Sequence, residues 1–231
     1  MRQSAARHIG AFTKALLSLQ ELYEKFDQKR EDFKDLQPEF PYPRSYTSLD
    51  GNNQECFRYI RTLEASKLLF VVETNAGEPL CVKFVRTYSW TVHRQCAIWG
   101  ISPLLRGFSA IPGGWHMIVM DLLEEYECLH DVKHSLSSEQ KARLRAEIRS
   151  RLTELHQENF VHGDVRDANV MVKRDRLEWK LVDFDWSGKI GEVRYPMNVN
   201  RGLGLRRPEG ALDGQRILAN HDIEMLDYLF D

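Results

Sequence analysis

Apolar residues along this chain follow two kinds of spacing. From about Ser4 to Leu36 they recur as Ile9, Phe12, Leu16, Leu19, Tyr23 and Phe26. Steps of three and four are the period of an amphipathic helix. Gly10 is its weak point, and the charged stretch Gln28 to Asp35 is expected to be solvated. The pattern fits a helix packed on the domain that follows, or a helix that meets a partner; the first is the simpler. Pro38, Pro41 and Pro43 then end the helix and predict an extended linker, with Asp50-Gly51-Asn52-Asn53 as a turn.

Shorter runs rich in β-branched and aromatic residues come next: Cys56 to Leu63, Leu68 to Thr74 and Pro79 to Val85. They read as strands, the second and third joined by a hairpin turn at Asn75-Ala76-Gly77. A helix is expected over Tyr88 to Trp99, broken by Gly100-Ile101-Ser102-Pro103. A further hairpin turns at Pro112-Gly113-Gly114, and its second strand runs from Trp115 to Leu123. Ser137 is placed as an N-cap. The helix it starts carries Leu144, Ile148, Leu152 and Leu155 on one stripe. Finally, Val170 to Lys173 and Trp179 to Val182 flank Arg174-Asp175-Arg176 as a short hairpin. The chain is expected to be α+β, with the N-terminal helix as an addition.

Composition changes this picture little. The 231 residues are 42% hydrophobic and 29% charged, ordinary for a globular chain, and the net charge of -2 gives no general pull toward nucleic acid or a membrane surface. No apolar run is long enough to span a bilayer. Cys56, Cys81, Cys96 and Cys128 form no C-x-x-C pair, and three lie in apolar or strand-like contexts. Buried, reduced thiols of an intracellular protein are the expectation. Arg2, Arg7 and Lys14, with no acid before Glu21, faintly suggest a mitochondrial presequence. The segment runs on into an acidic helical stretch, so cytoplasm or nucleus is expected.

The chemistry concentrates in Val161-His162-Gly163-Asp164-Val165-Arg166-Asp167-Ala168-Asn169-Val170 and, beyond the hairpin, Leu181-Val182-Asp183-Phe184-Asp185-Trp186. An Asp and an Asn on one tight loop, with a second Asp after a hairpin, make a set of oxygen ligands suited to Mg²⁺. Asp-rich turns also cap helices, and His162 alone would fit a core histidine. The order and spacing of both motifs together carry the reading. H-x-D-x-x-x-x-N followed by D-F resembles the catalytic loop and metal-binding motif of the protein-kinase-like superfamily. The H-G-D spelling is shared with small-molecule kinases of the aminoglycoside and choline type. It is also shared with atypical fungal protein-kinase-like sequences, which Gly191-Glu192-Val193-Arg194-Tyr195-Pro196 resembles most.

The resemblance covers about Phe57 to Leu229. It implies a bilobal fold: a small β-rich N-lobe (about 54–121), a minimal helical C-lobe (about 122–231) and an extra N-terminal helix and linker (1–44). It implies ATP and Mg²⁺ as cofactors and a hydroxyl-bearing acceptor, protein or small molecule. Asp164 would accept the acceptor's proton, and Arg166 would neutralise charge on the γ-phosphate. Asn169 and Asp183 would hold Mg²⁺. Leu80-Cys81-Val82-Lys83-Phe84 looks like the strand whose lysine contacts the α- and β-phosphates, here Lys83. Cys81 would line the adenine pocket, with Met120 as gatekeeper and the backbone of Asp121 and Leu123 on the adenine edge.

Departures from the family pattern are also plain. Glu64-Ala65-Ser66-Lys67, between the first two strands, has no glycine, although a glycine loop lets backbone N–H groups approach phosphates. From Lys83 to Met120 there is no Asp or Glu, so the helix Tyr88 to Trp99 offers no acid to Lys83. His93 or Gln95 would face it, with Asp183, Gln95 or the nucleotide to orient it. Gly163 replaces the arginine that receives an activation-loop phosphate. Asp185 replaces the glycine of D-F-G and suggests a less mobile segment. Arg207-Pro208-Glu209 stands in for A-P-E, and Asp222 for the acid that braces the catalytic loop. Three readings follow: a phosphotransferase, a pseudokinase that kept the fold, or a small-molecule kinase favoured by H-G-D and a short large lobe.

Overall fold

The computed structural model describes residues 2–28, 40–51, 53–202 and 204–230. The chain forms two compact units, Met1–Pro43 and Arg44–Asp231. The first contains α1 (Arg2–Gln28), in which Ile9, Phe12, Leu16, Leu19 and Tyr23 carry exposed side chains. The charged stretch expected to continue this helix beyond residue 28 lies outside the described residues, apart from Gln28 itself.

The second unit begins with a strand that the proline spacing hid: β1 (Ser45–Thr47) pairs antiparallel with β2 (Gln54–Glu64). β3 (Leu69–Thr74) and β4 (Pro79–Val85) follow, then α2 (Trp90–Ile98) and the hairpin β5 (Leu105–Ile111) and β6 (Trp115–Asp121). These strands form one six-stranded sheet in the order β1-β2-β3-β4-β6-β5. Its two margins meet. Ser48 bridges Gly107 of β5, and Leu49 donates its N–H to the Arg106 carbonyl at 3.2 Å. Gly107 permits this approach, because a Cβ there would lie 2.6 Å from the Tyr46 ring. β4 sits inside the sheet, with β3 and β6 on either side, so its residues are held from both edges.

β7 (Glu127–Cys128) and the short α3 (Leu129–Val132) lead to α4 (Ser138–Gln157). Ser137 caps α4 with a full capping box: its Oγ accepts the Gln140 N–H at 3.1 Å, and Gln140 Oε1 accepts the Ser137 N–H at 2.8 Å. The helical stripe Leu144, Ile148, Leu152 and Leu155 is fully buried. Each such side chain contributes about 2 kcal/mol of burial. β8 (Phe160–Val161), β9 (Val170–Lys173), β10 (Glu178–Leu181), β11 (Gly188–Lys189) and α5 (Ala219–Phe230) complete the unit. Val92 and Cys96 of α2 are buried in the same core as α4, together with Phe184, Met225 and Leu226. Helix α2, although it lies between strands of the small lobe in sequence, is thus rooted in the helical lobe.

All four cysteines are free; Cys81 and Cys96 are buried and Cys128 is half-buried, whereas Cys56, in β2, is exposed rather than buried as expected. Among the described residues no helix is long and apolar enough to cross a membrane.

Candidate active site

The loop after β8 is fixed from below by one carboxylate. Asp222, buried in the first turn of α5, accepts the backbone N–H groups of His162 and Gly163, each at 2.8 Å, and contacts His156 Nε2 at 3.0 Å. Gly163 is held at φ +86°, and a Cβ there would meet the Trp186 carbonyl oxygen at 2.7 Å. Any side chain at this position is therefore strained, which agrees with glycine rather than arginine in the H-G-D spelling. His162 is buried and lies edge-on to the Phe184 ring at 5.1 Å.

Asp164 and Asn169 meet across the turn that follows. Asn169 Nδ2 donates to Asp164 Oδ2 at 3.0 Å and to the Asp164 carbonyl at 2.9 Å. Its other amide atom, Oδ1, is buried without a hydrogen-bond partner. The Val182 N–H donates to the Asn169 carbonyl at 3.0 Å, which brings Asp183 beside this loop. Asp183 adopts φ +71°, a left-handed conformation that Asp tolerates better than most residues. Asp167 turns away to Lys133 (2.7 Å) and His130 (3.1 Å), which ties the loop to α3 and the residue after it.

Two guanidinium groups flank Asp164. Arg166 Nε lies 3.1 Å from Oδ2 as an ion pair without hydrogen-bond geometry. Arg207 Nη2 donates to Oδ1 at 2.9 Å. The Arg207 side chain is only 3% exposed, and its guanidinium stacks over Trp186 at 4.8 Å. Nothing periodic marks Arg207, which sits in an irregular segment 43 residues beyond the carboxylate it contacts. Its neighbour Glu209 is exposed and makes no A-P-E-like brace among the described contacts.

Lys83 projects from β4 with its side chain 6% exposed. Nζ lies 2.9 Å from Asp183 Oδ1 and 2.5 Å from Asp185 Oδ1. Burial works against the ammonium charge, but the Asp183 and Asp185 carboxylates outweigh it and raise the lysine pKa. Burial likewise opposes ionisation of Asp183, and the Lys83 ammonium overrides it to hold the carboxyl down at about 2. Burial, then the charge of Asp183, push Asp185 up to about 7. His93 does not face Lys83. It is buried, with Nδ1 2.7 Å from the Tyr88 hydroxyl and Nε2 2.8 Å from the Pro103 carbonyl, and its ring stacks on Phe184 at 4.7 Å.

These side chains share one cleft of about 380 Å³, walled by Lys67, Lys83, Asp164, Arg166, Asp183 and Asp185. The glycine-free connection between β2 and β3 folds as a 3₁₀ turn, Ala65–Lys67, and lends Ser66 and Lys67 to that wall. Cys81, Met120, Asp121 and Leu123 lie outside the cleft. Cys81 is two residues from Lys83, hence on the same face of β4, and it pairs with Met120 of β6. The Asp121 N–H is taken by the Leu104 carbonyl at 3.0 Å and its carboxylate by Arg106 at 2.6 Å. Leu123 lies beyond the end of β6 and is half-buried.

A family model described as protein tyrosine and serine/threonine kinase matches residues 104–203, from β5 through the catalytic-type loop and the metal-type segment. It does not reach β4 or α2. No curated protein sequence matches the chain. Among solved structures, the kinase PK-1 of Cydia pomonella granulovirus is similar with a TM-score of 0.61 at 17% identity, over 74% of this chain. The similarity spans 65% of the viral protein's length. The matched segment resembles a protein kinase, and the similarity to the viral structure shows that the chain has a bilobal protein-kinase-like fold.

Proposed function

We propose that the chain is an ATP- and Mg²⁺-dependent phosphotransferase that moves a γ-phosphoryl group to a hydroxyl acceptor, a protein or a small molecule. One observation carries the reading: Lys83, Asp164 and Asp183 line one cleft, and Asn169, bonded to Asp164, keeps its amide oxygen buried with no hydrogen-bond partner. A buried, unpaired amide oxygen beside a carboxylate suits a hard cation completed by phosphate and water. Asn169 Oδ1 and Asp183 would hold Mg²⁺. When bound, the ion neutralises charge on the phosphate oxygens.

The chain's own residues supply the rest. Asp164, oriented by Asn169, Arg166 and Arg207, accepts the proton of the attacking hydroxyl. Arg166 lines the cleft beside it and offsets charge on the transferring group. Lys83 holds the α- and β-phosphates. Cys81 and Met120 back the adenine, and the backbone of Asp121 and Leu123 meets its edge. The pseudokinase reading draws on the absence of a glycine loop and of a helix acid; the Asp185 carboxylate at Lys83 removes half of that case. The kinase named in the viral structure has the same fold, and free thiols agree with cytoplasm or nucleus as the site of action.

A thermal-shift titration with ATP, with and without Mg²⁺, tests the reading. At about a hundred times the dissociation constant, binding adds roughly 2.7 kcal/mol, several degrees for a domain of this size. The shift is expected to require Mg²⁺ and to vanish in Asp183→Asn. No shift at millimolar ATP overturns the phosphotransferase in favour of a scaffold.

A further inference from the structure

The stretch Trp90–Ile98, which forms α2, contains no acid, yet Lys83 is not left alone. Its buried ammonium pairs with Asp185 at 2.5 Å as well as with Asp183 at 2.9 Å. Asp183, Phe184 and Asp185 belong to one short segment, and that segment is tied to the catalytic-type loop. Ser187 Oγ donates to the His162 carbonyl at 2.7 Å, and β11 pairs with β8 at Gly188 and Val161. Helix α2 meets the same segment through uncharged contacts only: the His93–Phe184 stack, and the Ser89 N–H on the Phe184 carbonyl at 3.1 Å.

A buried ammonium is costly without a counter-charge. Asp183 cannot remain the sole partner of Lys83 and also turn its oxygens to a cation. We propose that Asp185 is the lysine-positioning residue of this protein, standing where other members of the fold use a carboxylate on the helix. It keeps Lys83 turned into the cleft while Asp183 changes partners. The lysine, its acid and the metal-type carboxylate then form one unit with the catalytic-type loop. Movement of α2 does not break the pair, so the nucleotide site stays assembled without the helix swing that an acid on α2 would allow. The inference rests on the ATP reading above.

A double-mutant cycle on the full chain tests it, with the MgATP dissociation constant measured for the parent, Asp185→Asn, Lys83→Met and the double variant. Asp185→Asn is expected to weaken MgATP about tenfold, the worth of one charge-assisted hydrogen bond. Lys83→Met is expected to do at least as much, and the double variant to bind no worse than Lys83→Met alone. Asp185→Glu is expected to recover part of the loss. Parent-like binding by Asp185→Asn, or losses that multiply in the double variant, would overturn the assignment. Should Asp185→Asn not fold, labelling of Lys83 by an amine-reactive reagent in Asp185→Glu and Asp185→Ser decides instead. Faster labelling in the serine variant alone supports the pair, and equal rates overturn it. A parent that binds no MgATP sinks the phosphotransferase reading itself, a separate outcome of the same titration.

Discussion

Asp222 Oδ1 accepts the Gly163 N–H at 2.8 Å across 59 residues of chain, and its second oxygen takes the neighbouring His162 N–H. Both amides are buried, so nothing else satisfies them. Asp222→Ala is expected to cost about 3 kcal/mol or more, since two buried donors lose their acceptor at once. A urea denaturation midpoint reads this directly; a loss below about 1 kcal/mol would mean that water replaces the carboxylate.

Gly163→Ala is expected to destabilise by about 2 kcal/mol, from a left-handed φ and a Cβ driven against the Trp186 carbonyl. For a domain of this size that is a fall in Tm of roughly 4–8 °C. Gly163→Arg, which would restore the commoner family spelling, is expected to fare no better. A stable arginine variant would show that the Trp186 backbone yields.

Asp164→Asn is expected to leave MgATP affinity within about threefold and to lower phosphoryl transfer, or the background hydrolysis of ATP, by at least 10²-fold. Arg207→Met is expected to reduce the same rate less, because Asn169 and Arg166 still hold the carboxylate. Full activity in Asp164→Asn would sink the mechanism.

Burial pushes His93 down to about 4, so the folded protein holds it neutral where the unfolded chain protonates it near 6.5. The depressed value makes this contribution complete above the unfolded pKa and lost progressively as pH falls from about 6.5 toward 4. The contribution is on the order of 3 kcal/mol. Asp185, raised by burial and by Asp183, acts in the opposite sense over part of the same range. The measurement is therefore the difference in stability between parent and His93→Gln across that window. A difference that does not change with pH would show that folding does not lower the pKa of His93.

The helical lobe was legible where local rules decide: Ser137 and the four-residue stripe of α4 need only a cap and a period. Asp164 and Asn169 fall on one turn because five residues of loop leave little choice. What stayed hidden is tertiary. β1 is three residues long among prolines, so no alternation marks it. Asp185 read as a stiffer substitute for glycine, because the partner that explains it, Lys83, lies 102 residues away. Either His93 or Gln95 could face Lys83 on sequence position; of the two, His93 is claimed by Phe184, the Tyr88 hydroxyl and the Pro103 carbonyl. Arg207 was marked only as the first residue of an A-P-E-like triplet; its contact with Asp164 stayed hidden, since irregular chain carries no period from which a contact can be read.

The closure of the six-stranded sheet by β1 and the two residues after it bears on behaviour outside the active site. Unpaired strand margins recruit strands from other molecules. Here Ser45–Thr47 occupies the outer side of β2 from Gln54 to Cys56, and Ser48 and Leu49 reach across to β5 at Gly107 and Arg106. A few residues thus shield two docking edges. Removing the chain through Leu49 would uncover both together, and self-association through added β-pairing would appear before any loss of chemistry.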